Sequence, residues 1–183
     1  MIIAFGHRRN VGKDSCADFV NLWGLERGVS VGRFSFAAAV KEKSFEMFGY
    51  LGLKRASYYD LHYDERTTPV CANGPCARDI WIHVGTQMRA LHSDVWAEKF
   101  EPTTKTVTTV TDLRFPNEVN VVRRYKGCRV IKVVRDVEQF TDDADQGLAD
   151  FDGWDAVAQN NGSRHDLRHT VYRLMDTLWV SEH

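Results

Sequence analysis

The sequence predicts an α/β protein, a largely parallel sheet of about five strands with helices on both faces. Three observations carry that expectation. Short apolar, β-rich runs alternate with stretches of helical periodicity, as parallel strands joined by crossover helices require. The run Thr106–Thr111 is β-branched throughout, as befits a strand buried on both faces. The chain also passes from the apolar run Ile2–Phe5 through GHRRNVGKDS straight into an amphipathic stretch.

Ile2–Phe5 is the first predicted strand. Cys16, Phe19, Val20 and Trp23 then recur at helical spacing. Val31–Phe36 reads as a second strand and Ala37–Phe48 as a helix with Val40, Met47 and Phe48 on one side. Residues 49–76 lack clear periodicity and read as a long loop or mobile insert on the substrate side. Ala77–Leu91 is helical by Ile80, Val84, Met88 and Leu91. Asn117–Lys126 reads as a short helix closed by Gly127, a glycine suited to the position after a helix end. Arg129–Val134 is the next strand. Asp142–Asp155 is acidic and contains glycine, so it reads as a loop. Ala156–Gln159 is a last, short strand, and Ser163-x-x-Asp166 resembles a capping box opening a final helix. Residues 1–183 hold no repeat and read as a single domain.

The net charge of −1 gives no general basic character, which argues against an extended nucleic-acid interface and leaves room for a local basic cleft. No apolar run is long enough to span a membrane and no signal-like segment precedes the first strand, so a cytoplasmic protein without membrane partners is expected. Cys16 and Cys128 fall in apolar periodic segments and read as buried thiols. Cys71 and Cys76 flank ANGP. Together with His62 they could form a zinc clip, but the spacing is not C-x-x-C and no second pair exists, which favours two reduced thiols.

A strand, a Gly-rich turn ending in Gly-Lys and a helix form the context of a phosphate-binding loop. Backbone N–H groups cradle phosphate oxygens there, and the helix N-terminus adds partial positive charge. Gly12 permits close backbone approach, and Lys13 supplies a point charge for terminal phosphates. Two features depart from the common pattern. Five residues separate Gly6 from Gly12 where four are usual, and Asp14 replaces the hydroxyl residue that holds Mg²⁺. A carboxylate is also a hard oxygen ligand, and Ser15 offers a hydroxyl one position on.

With GKDS, the motifs FAAAVK at 36–41, YDERTT at 63–68, ARDIWIHVGTQMRALHSDVWAEKF at 77–100, TDLRFPNEV at 111–119, VIKVVRD at 130–136 and AQNNGSRHDL at 158–167 occur in order along most of the chain. In this the sequence resembles the bacteriophage deoxynucleoside monophosphate kinases, which have the P-loop nucleoside monophosphate kinase fold. The resemblance implies transfer of the terminal phosphoryl of ATP to a deoxynucleoside monophosphate with Mg²⁺, in the host cytoplasm if the chain is viral, and leaves a homodimer open.

Such transfer needs positioning and charge neutralisation more than covalent chemistry, because the acceptor phosphate is already an ionised nucleophile. Guanidinium forks grip phosphates bidentately, and Arg8, Arg9, Arg66, Arg78, Arg114 and Arg135 stand at loops or element ends. Gly6, Arg8, Arg9, Asn10, Val11, Gly12, Lys13, Asp14, Ser15 and Arg135 are therefore assigned to the donor nucleotide. Asp112 and Arg114 follow a predicted buried strand, at the edge where open α/β sheets bind ligands. The resemblance implies that Asp112 helps hold the metal with Asp14 and Ser15, that Arg114 contacts the transferring phosphate, and that Lys41, Arg66 and Arg78 clamp the acceptor. Trp96 is a candidate wall of the acceptor site, against the alternative of a core aromatic. Glu118 reads as a cap or ion-pair partner.

Three alternatives stand beside this reading. A P-loop kinase acting on 5-hydroxymethyluracil in phage DNA would need a general base, Asp112 or Asp64. A kinase of another small phosphorylated metabolite, such as phosphomevalonate, shares the GKD variant. A non-catalytic nucleotide-binding module is the third.

Overall fold

A computed structural model describes residues 1–136 and 146–182. The chain forms two compact units, Met1–Ser35 with Phe100–His183, and Phe36–Lys99.

The first unit is built on five parallel strands, β1 (Ile2–Gly6), β2 (Val31–Phe34), β3 (Val107–Leu113), β4 (Cys128–Val134) and β5 (Ala156–Gln159), in the order β2-β3-β1-β4-β5. All five residues of β1 are buried, which explains why IIAFG reads as continuous apolar sequence: the strand lies between β3 and β4. Ala4 pairs with Val110 but Gly6 with Leu113, so β3 carries an irregularity just where Asp112 sits. An extra residue of this kind bends a strand and re-aims side chains.

Helix α1 (Lys13–Arg27) buries the predicted stripe of Cys16, Phe19, Val20 and Trp23. Its apolar face joins Ile3, Phe5, Ile131 and Val133 of the sheet and Leu167, Val171 and Met175 of the last helix in one core. The fully buried Trp23 donates its indole N–H to Asp176 Oδ1 at 2.8 Å and meets the edge of Trp179. Gly28 closes α1 with a left-handed φ of 68°. The capping box opening the last helix, Arg164–Glu182, is present: Ser163 N–H donates to Asp166 Oδ2 at 2.8 Å and Asp166 N–H to Ser163 Oγ at 3.2 Å.

Several expected boundaries shift. The second strand ends at Phe34 rather than Phe36, and Phe36 opens α2 (Phe36–Phe48). The helix expected over Asn117–Lys126 covers only Pro116–Val122. Arg124 and Tyr125 N–H groups bond to residues three back, Val121 and Val122, tightening the chain into turns. Gly127 takes φ 74° in the passage to β4, not directly after the helix. Residues 147–155 are turn or irregular chain, as expected; residues 142–145 of that predicted loop lie outside the described residues.

In the second unit, Val40 of α2, Leu53, Tyr59, Ile80 and Val84 of α4 (Ala77–Leu91), and Trp96 form the core. Met47 and Leu91, expected on the apolar faces, are 43% and 83% exposed. Residues 49–76 are not a plain loop. They hold 3₁₀ turns at Gly49–Leu51 and Tyr63–Thr67 and the short helix α3 (Ala56–Leu61). Pieces of three to six residues are too short to display a periodicity. No helix among the described residues is long and apolar enough to cross a membrane.

Trp23 ties α1 to the last helix by both area and hydrogen bond, so Trp23→Ala is expected to cost about 3–5 kcal/mol of stability in urea unfolding. Trp23→Phe, which keeps most of the ring and loses the N–H, should cost less than half of that.

Candidate functional site

Because all strands of the first unit run parallel, their carboxyl ends share one edge. The loop 7–12 follows β1, Ser35 follows β2, Asp112 lies at the end of β3 and Arg114 just beyond it, Arg135 follows β4 and Asn160 follows β5. This is the edge at which open parallel sheets take ligands.

The loop turns from β1 into α1 through three left-handed residues: His7 at φ 95°, Asn10 at φ 60° and Gly12 at φ 98°. Gly12 cannot be replaced freely. Beyond its φ, an added Cβ would lie 2.4 Å from Asn160 Nδ2. That amide donates to Val11 O at 2.8 Å, and Asn160 N–H donates to Val134 O at 2.8 Å, so the end of β5 braces the loop. Gly6 answers to a different constraint. An added Cβ there would meet the Trp154 ring at 2.9 Å.

Lys13 opens α1 and is buried. Its ammonium donates to His7 O at 3.1 Å and to Arg8 O, curling back over the loop. The first amides of a helix have no acceptor within the helix, so the start of α1 presents donors beside this ammonium. Arg8 and Arg9 are half-buried, and Arg8 Nε is buried with no hydrogen-bond partner among the described residues. Arg135 is exposed.

Asp112 Oδ2 accepts the Ser35 hydroxyl at 2.8 Å. Arg114 and Phe115 donate their backbone N–H groups to the buried Glu118 carboxylate at 2.8 and 3.1 Å. Glu118 is thus the N-terminal cap of α5 (Pro116–Val122) and fixes the backbone on which Arg114 stands. Ser15 is half-buried, while the Asp14 carboxylate is 79% exposed and ion-paired with Arg33. The carboxylates of Asp14 and Asp112 and the Ser15 hydroxyl are hard oxygen donors that fit Mg²⁺ chemically. Among the described residues no three His, Cys, Asp or Glu side chains gather as a metal cluster.

The residues expected on the acceptor side belong to the second unit. Lys41 Nζ lies 5.2 Å from the centre of the Trp81 ring. The Arg66 guanidinium stacks 3.2 Å above Tyr63 and its Nε donates to Tyr63 O at 3.1 Å. Arg78 is exposed in the first turn of α4. Trp96 is not a wall of a site: it is 3% exposed, and its indole N–H donates to Gly85 O at 3.1 Å within the core. Cys71 and Cys76 are free thiols, and Cys76 Sγ donates to Asp79 Oδ2 at 3.1 Å at the start of α4.

Sequence reasoning missed Asn160 as a brace, Ser35 as the partner of Asp112, and Arg33 and Trp154. Asn160 stands among the polar residues Gln159 and Asn161 with nothing to single it out, and the others act through contacts distant in sequence.

His7 is held by Nδ1 at 3.2 Å from Val133 O and by the edge of Trp154. Burial pushes its pKa below the ordinary 6.5, the Val133 carbonyl opposes the shift, and Lys132, Arg8 and Lys13 add to it. Below pH 6.5 the unfolded chain therefore takes up this proton before the folded one does. Stability should fall as pH drops from 6.5 toward the lowered value, and His7→Asn, which tolerates a left-handed backbone, should remove that part of the slope in urea unfolding measured between pH 5 and 8.

Compared with models of protein families and with curated proteins, the chain matches none.

Proposed function

We propose that the chain is an ATP-dependent phosphotransferase that converts a deoxynucleoside monophosphate to the diphosphate, on a P-loop kinase fold. The observation that carries this reading is the passage from β1 to α1. Three left-handed residues, the braced Gly12 among them, lead into a fifteen-residue helix that opens on a buried lysine at the carboxyl edge of a parallel sheet. The sheet order β2-β3-β1-β4-β5 and the motifs GKDS and DLRFPNE support it.

In this reading the loop amides and the start of α1 receive the donor phosphates. Lys13 exchanges its carbonyl acceptors for phosphate oxygens, so its charge is already in place when negative charge shifts during transfer. Gly6, Asn10 and Val11 give the loop its shape, and Arg8, Arg9, Arg114 and Arg135 supply further cations. Asp14, Ser15 and Asp112 would hold Mg²⁺, which neutralises phosphate charge when bound. Lys41, Arg66 and Arg78 grip the acceptor monoester. That phosphate is already ionised, so no residue needs to act as a base.

Incubation of the purified protein with labelled ATP and each nucleoside monophosphate tests the reading. Label should enter at least one deoxynucleoside diphosphate. Label entering only duplex DNA containing 5-hydroxymethyluracil would replace this reading with the DNA kinase. Lys13→Ala should lower transfer roughly 10²- to 10³-fold with the fold retained by circular dichroism, as loss of one preorganised charged contact does.

A second expectation concerns the acceptor. Arg78→Lys keeps the charge and loses the fork. It should raise KM for the monophosphate several-fold and leave KM for ATP within about twofold in steady-state kinetics. Equal changes in both constants would remove Arg78 from the acceptor side.

A further inference from the structure

Asp14 directly follows Lys13, and Asp18 lies one turn later on the same face of α1. Arg33, on the edge strand β2, bridges the two. One terminal nitrogen, Nη2, binds Asp14 Oδ1, and the other, Nη1, binds Asp18 Oδ1 at 3.1 Å. The three side chains are 79%, 50% and 43% exposed for Asp14, Asp18 and Arg33 respectively. Each pair is therefore weak and exchangeable. Beside Arg33 runs an open groove lined by Ala17, Asp18, Asn21, Val31 and Gly32. It gives the guanidinium space to swing off Asp14 while staying on Asp18.

Resting on the nucleotide reading above, we propose that Arg33 is a built-in counter-ion of the metal site. Its guanidinium occupies the Asp14 carboxylate until a divalent cation arriving with the nucleotide takes that carboxylate over, and Asp18 then retains the guanidinium. A divalent cation at carboxylate contact outcompetes a single delocalised charge shared between two carboxylates. A hydroxyl in place of the Asp14 carboxylate would leave the guanidinium with Asp18 alone and no second anion to exchange.

The test is calorimetric titration of ATP into the whole protein, once with EDTA and once with Mn²⁺. The ratio of the two dissociation constants cancels any general effect of Arg33 on an anionic ligand. Arg33→Gln should raise the metal-dependent ratio about two- to fivefold, the range an exposed ion pair is worth. Asp18→Asn should lower it, because the guanidinium then rests on Asp14 alone. Arg33→Gln should add nothing on an Asp14→Asn background, since the two act through one contact. Arg168→Gln removes an equal charge from an exposed pair with Glu26 and should leave the ratio unchanged. ATP binding with the same ratio in wild type and Arg33→Gln overturns this inference and leaves the nucleotide reading standing. No ATP binding by wild type under either condition overturns both.

Discussion

The chain must leave a strand buried on both faces and, across only six residues, begin a helix, and the carboxyl edge of the first unit is organised by that turn. Half of its residues take left-handed backbone, and two of those, His7 and Asn10, are not glycine. Such positions cost on the order of 1–3 kcal/mol each and persist only where neighbours over-determine them. The neighbours are visible. Val133 and Trp154 hold His7, and Asn160 holds Val11 while crowding Gly12. The loop's shape is therefore braced from outside, by Val133 of β4, by Trp154 ahead of β5 and by Asn160 just after it.

The charges follow from that geometry. A buried ammonium without an acceptor is costly, and Lys13 finds the carbonyls of His7 and Arg8, which the turn brings within reach. The next residue, Asp14, is on the exposed side of the same helical turn and finds Arg33 of the edge strand. Two consecutive residues of one helical turn thus carry a cation satisfied by the loop and an anion satisfied by the sheet edge.

Long elements were legible in the sequence. The five-strand parallel sheet, the α1 stripe, the bounds of α4 and the Ser163 box all follow from periodicity and capping chemistry. Residues 49–76 were not legible, because their helical pieces are shorter than the window in which a period can be counted. Met47 and Leu91 misled for the opposite reason: they keep the period of their helices and are exposed. Trp96 sat next to an expected acceptor region and is a core residue, since burial of an aromatic depends on packing that spacing does not encode. The loop itself was legible through Gly12 and Lys13. Its five-residue spacing was puzzling only while Gly6 and Gly12 were taken as one motif. Gly6 makes way for the Trp154 ring and Gly12 supplies left-handed backbone, so the interval between them is not bound to the usual four.

Cys16 lies in the first turn of α1, fully enclosed in the core behind the loop, where burial pushes its thiol up to about 12. Only the thiolate reacts with maleimides or disulfide reagents at an appreciable rate. Alkylation of this sulfur therefore has to wait for α1 to lift from the sheet. The native sequence thereby contains its own timer for that opening: the rate at which Cys16 is modified reports how often the loop's supporting helix comes away, without any label having been introduced.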